Sequence, residues 1–138
     1  MRYHVKAPFE KPIRLLTSVP GIGVTTAVTL MVELDDIVCF RNADHLASFI
    51  GLVPMCHSSG ESNGTGDITV RRHFMLRSLL VEAAWVTIRK DPAMTVAYTE
   101  YRKRMNPQKS IIKIARRLVN RIYYVLKHEK EYIPCVVK

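Results

Sequence analysis

Three observations predict an all-α fold. Apolar residues recur at helical spacing, as in Ala27, Leu30, Met31 and Leu34, and again in Leu76, Leu79, Leu80 and Ala83. Proline and glycine punctuate the chain at Pro20-Gly21-Ile22-Gly23, Asp91-Pro92 and Asn106-Pro107. No segment of useful strand length alternates apolar with polar residues. The 138 residues, 48% of them hydrophobic, suffice for one domain with a real core.

Taken in order, residues 1–12 are expected to be loosely ordered. A short helix is predicted over 13–19, broken at 20–23, with a second over 24–34. Together 13–34 fit a helix-hairpin-helix. Asn42 reads as the N-cap of a helix through Phe49. Residues 54–67, rich in Ser, Gly and Asn, form a long loop, and such loops are usually functional or disordered. Helix resumes near Thr69. Asp91-Pro92 ends it and restarts another as N-cap and first position, and the last helix runs from Asn106-Pro107 to about His128. This gives a three-helix C-terminal part, a domain body at 13–132 and a tail at 133–138. Trp85, Phe40, Phe49, Met31 and Met75 are expected in the core.

Charge narrows the function. The net charge is +9, which makes a polyanion the default partner. The excess is concentrated between residues 101 and 130, where ten Lys and Arg residues face Glu129 alone. On a helical wheel Lys109, Lys113, Arg116, Asn120 and Lys127 fall together, with Arg117 and Arg121 on the flank. Ile112, Ala115, Leu118, Val119, Ile122, Val125 and Leu126 fall opposite. Like charges repel at i,i+4, so a one-signed stripe points to phosphate rather than to an ordinary solvated face. An acidic protein is the competing partner. A membrane surface ranks lower because the apolar face belongs to the core, and no apolar run approaches the roughly 20 residues needed to span a bilayer.

The hairpin offers a second candidate contact. Gly21 and Gly23 permit a tight turn and expose backbone N–H groups beside a helix start, where a phosphate oxygen can be received. Thr25 adds a hydroxyl, and the small Ala27 lets the two helices approach. The competing reading is a plain αα-turn.

Other constellations say less. Cys39, Cys56, His57 and His73 lack the spacing of a metal site, so no metal ligand is assigned. An odd number of cysteines at irregular spacing, with no apolar stretch at the N-terminus, indicates reduced thiols, no signal peptide and a cytoplasmic protein. The acidic residues form no recognisable two-metal set, which counts against a free-standing nuclease. Residues His57-Ser58-Ser59-Gly60 place a histidine beside two serines, a weak pattern by itself.

The ordered blocks LxxVPGIGxxTAxxLxxEL, FRNADHLASFIGLVP, SSG and GDITxxxxxxLRSLLVEAAW, between residues 15 and 132, resemble a family. It is the C-terminal domain of the DEDD-type insertion-sequence transposases, described as bridge-RNA-guided and related to pilin-gene inverting recombinases. The resemblance implies DNA as partner, a guide RNA, and a homo-oligomer in the full transposase. It implies a serine nucleophile in the pattern Gly-Leu-x-Pro then Ser-Gly, which falls on Ser59, with Ser58 as its neighbour. It also implies an N-terminal RuvC-like domain, outside this chain, whose acidic residues bind divalent metal. No cofactor is assigned to this chain itself, and strand transfer is not expected from it alone. The sequence departs from the family pattern at Ile68–His73, where Lys-x-Gly-Asn is replaced and a different helix start is expected.

Overall fold

The computed structural model describes residues 7–34, 36–52 and 67–133, with side chains described over 10–34, 36–52 and 74–133. Six α-helices and one short 3₁₀ turn make up the described chain, and no strand occurs among these residues. They are α1 (Ala7–Thr17), α2 (Val24–Leu34), the 3₁₀ turn (Ile37–Cys39), α3 (Ala43–Ile50), α4 (Asp67–Lys90), α5 (Pro92–Arg102) and α6 (Pro107–His128).

Local chemistry accounts for most boundaries. Asn42 caps α3 by accepting from His45 N at 2.8 Å. Asp91 caps α5 by accepting from Ala93 N at 3.0 Å, and Asn106 caps α6 by accepting from Lys109 N at 2.8 Å. Pro92 and Pro107 stand in the first turns, where a missing N–H costs nothing. Gly51 closes α3 in the left-handed region (φ 94°), donating to Ala47 O while Leu52 N also bonds Ala47 O at 2.8 Å.

The N-terminal helix differs from expectation. It starts at Ala7 rather than 13 and ends at Thr17 rather than 19. Pro12 lies inside it and removes one backbone bond. Burial of Leu15 and Leu16 against the core offsets that loss.

The C-terminal helix α6 is the axis of the molecule, packing against α4, α3, α5 and α1. Its buried face comprises Ile111, Ile114, Ala115, Leu118, Val119, Ile122, Val125 and Leu126, with Ser110 at its start. The apolar stripe is therefore centred nearer Ile111 and Ile114 than the wheel suggested, and Ile112 sits half-buried at its margin. Met31 and Phe40 join the core as expected, and Phe49 packs partly against it. Trp85 and Met75 do not: they are 38% and 61% exposed. Helix α4 buries Leu76, Leu80, Ala83 and Ala84 inward, which turns Trp85 outward, where its ring meets Tyr98 edge-on at 5.8 Å.

Candidate nucleic-acid interface

The basic residues of α6 divide into two groups. Arg121 is taken into the structure. Its guanidinium donates to the Asp91 carboxylate at 2.5 Å and lies over the Tyr132 ring at 4.6 Å. Its side chain is 17% exposed and that of Asp91 only 6%. A buried carboxylate without its partner is costly, so this arginine serves the fold. Tyr132 is fixed in turn by its N–H, which donates to Ser18 Oγ at 2.8 Å. The clamp therefore ties the chain after α6 to the end of α1 and the start of α5. The helical wheel puts Arg121 on the flank of the basic stripe, and there its charge is taken up by a carboxylate thirty positions away.

Arg116 is intermediate. It donates to Asp44 Oδ1 at 2.9 Å and to Leu52 O at 3.5 Å. The Asp44 side chain is 79% exposed, so the ion pair is weak, about 0–1 kcal/mol, and open to competition by a phosphate.

Lys109, Lys113 and Arg117 form the other group. All three are exposed, and among the described residues none has a carboxylate within ion-pair reach. Tyr101, on α5, organises two of them. Lys113 Nζ stands 5.7 Å and Arg117 Cζ 5.8 Å from its ring centroid, and Arg117 Nε donates to its hydroxyl at 3.0 Å. One ring thus gathers two cations. Arg102 and Lys103 are partly engaged, to Met105 O and to Glu100. The α6 N-terminus carries no acidic residue in its first turn, so its dipole adds to the positive potential there. Tyr101 was not anticipated as a site residue; its place under α6 depends on how α5 packs.

The hairpin is built as a close approach. Gly21 has φ 98°, and a Cβ there would stand 2.0 Å from Thr87 Oγ1 and 3.0 Å from Ala83 O. Thr87 is buried and donates toward both Pro20 O (2.9 Å) and Ala83 O (2.8 Å), fastening the turn to α4. Ile22 plugs the core beneath. Gly23 is not constrained in the same way. Its φ is not positive, and a Cβ there meets nothing within 4 Å. It precedes the first turn of α2, its carbonyl accepting from Ala27 N at 2.9 Å. Thr25 is exposed in that turn, whose N–H groups have no partner within the helix. A surface depression of about 370 Å³, lined in part by Thr17, Gly21, Gly23 and Lys90, lies over the hairpin.

Ser59, with His57 and Ser58, lies outside the described residues, as does the rest of 53–66. Gly51, shortly before that stretch, lies against α4: a Cβ there would stand 4.0 Å from Arg77 Cδ. Among the described residues no three His, Cys, Asp or Glu side chains come together to hold a metal ion. No helix among them is long and apolar enough to cross a membrane.

A helical domain whose axial helix has one face in the core and unpaired cations on the other defines a cation-faced α-helical module. Its family follows from comparison: residues 13–99 match the transposase IS116/IS110/IS902 family, and the chain belongs to it. It is 32% identical over 114 residues to an IS110 insertion-element protein of Streptomyces coelicolor, covering 82% of this chain and 28% of that protein. It is 34% identical over 125 residues to the pilin gene-inverting protein of Moraxella bovis, covering 86% and 38%. It is 40% identical over 72 residues to the transposase of insertion element IS1111A of Coxiella burnetii, covering 52% and 20%. The chain thus spans between a fifth and two fifths of the length of these relatives. No solved structure matches it.

Proposed function

We propose that this chain is the nucleic-acid-binding, serine-bearing module of a transposase, acting on DNA during transposition. The observation that carries the reading is the unpaired set Lys109, Lys113 and Arg117 on the outer face of α6. A phosphate backbone neutralises such a set and releases counterions on binding. The hairpin supplies a second, weaker contact through the first-turn amides of α2 and Thr25, beside Lys90.

Ser59 is the proposed nucleophile toward the phosphodiester. Its hydroxyl needs a base and neutralisation of the phosphate charge. Arg77 and Arg116 stand at the end of α3, from which the Ser59 stretch departs, and suit the second task. The metal chemistry of the family would come from another domain, as would a guide RNA if one is used, and the full transposase would assemble as a homo-oligomer.

The test is a charge reversal. Lys109→Glu/Lys113→Glu/Arg117→Glu should fold normally, because these side chains are exposed and lie outside the buried face of α6, and should lose duplex DNA binding. Unchanged affinity and salt dependence would assign the stripe to solvent. Binding to an acidic polypeptide in preference to DNA would favour the protein-partner reading.

A further inference from the structure

The outer face of α6 carries more than charge. Tyr124 lies on it, 53% exposed. Its ring meets that of His128 at 4.5 Å with a 45° tilt. At 100° per residue, Lys113, Arg117, Asn120, Tyr124 and Lys127 all fall within an arc of about 80°, on the side away from the core. From Lys113 to Tyr124 the helix rises about 16 Å. Cations and an aromatic pair therefore lie on one straight track, with the Lys113–Arg117–Tyr101 cluster at one end and the Tyr124–His128 pair at the other.

We propose that this track binds a single nucleic-acid strand, with an unpaired nucleobase stacked on Tyr124 and neighbouring phosphates held by Lys113, Arg117 and Lys127. The proposal rests on the nucleic-acid reading of the cations and adds the form of the strand. In a duplex every base face is covered by its neighbours, so an exposed ring finds only edges and sugars. An unpaired base offers its π-face, and cationic grooves with stacking rings are the recurrent solution for single strands. Charge is favourable on this track. Glu129, just beyond it in sequence, is paired with Lys11 at 2.7 Å, and α6 itself carries no acidic residue. The Trp85–Tyr98 pair differs: Tyr98 is half-buried against the core, and Glu82 stands one turn before Trp85 on α4.

The experiment measures binding of the 138-residue chain to labelled oligothymidylate and oligouridylate of about 12 nucleotides, within the usual span of such sites, and to a duplex of equal length. Tyr124→Ala should weaken single-strand binding by about 5- to 100-fold, the worth of one stacked base, with no change in salt slope or in duplex affinity. Tyr124→Trp should keep it. Whichever of the two single strands shows the loss is the one the site serves. Circular dichroism of Tyr124→Ala should match wild type, since the side chain is exposed. Two results would overturn the proposal: single-strand affinity unchanged in Tyr124→Ala, or an equal loss on the duplex, which would make the tyrosine a groove contact. Failure of wild type to bind any of the three would instead remove the nucleic-acid reading itself.

Discussion

Gly21 lies so close to Thr87 that a Cβ at position 21 would stand 2.0 Å from the threonine Oγ1. The turn between α1 and α2 is thereby seated directly on α4, and its left-handed backbone (φ 98°) leaves no place for a side chain. Gly21→Ala should cost on the order of 2–5 kcal/mol, from backbone strain and from displacing Thr87. Gly23→Ser should stay within about 0.5 kcal/mol of wild type, because its Cβ enters open space and serine is a good N-cap. Urea unfolding of the two variants checks this; equal destabilisation would contradict the distinction.

Arg121 and Arg117, four positions apart on α6, should respond in opposite ways. Arg121→Met leaves Asp91 buried without its partner and should destabilise the fold by about 3–5 kcal/mol. Arg117→Gln should leave stability within about 0.5 kcal/mol and weaken DNA binding instead. Thermal unfolding and anisotropy on both variants separate the two roles.

Salt titration grades the stripe. Lys113→Gln and Arg117→Gln should each flatten the log–log salt dependence of duplex binding by about 0.9, the value of one phosphate contact. Asp44→Asn should tighten binding, because it frees Arg116 from its ion pair. No gain in Asp44→Asn would mean that Arg116 points at Leu52 O for structural reasons alone.

The Lys11–Glu129 pair links α1 to the end of α6 and should leave a pH signature. The hydrogen bond from Lys11, then its charge, hold the Glu129 carboxyl below its ordinary value of 4.5. A depressed folded-state pKa gives a contribution that is complete above the unfolded value and lost as pH falls through the folded one. The stability difference between wild type and Lys11→Met should therefore be small above pH 4.5, vanish in stronger acid, and shrink in high salt. A difference that grows on acidification would reverse the assignment.

The amino-acid sequence by itself determined the helical class and the helix boundaries at Asn42, Asp91-Pro92 and Asn106-Pro107. Capping is a contact between residues two or three apart, so its signal is local. The same holds for the apolar stripe of α6 and its one-signed outer face, since both follow from helical periodicity. Tertiary structure alone decided which cations stay free. Arg121 is claimed by Asp91 thirty positions earlier and Arg116 by Asp44 seventy-two positions earlier, while Lys113 and Arg117 are gathered by Tyr101 on α5. It also separated Gly21 from Gly23, two glycines that look alike in a turn motif, because only the docking of α4 places Thr87 against one of them. A wheel shows the direction of a side chain but carries no information about what another helix brings to meet it.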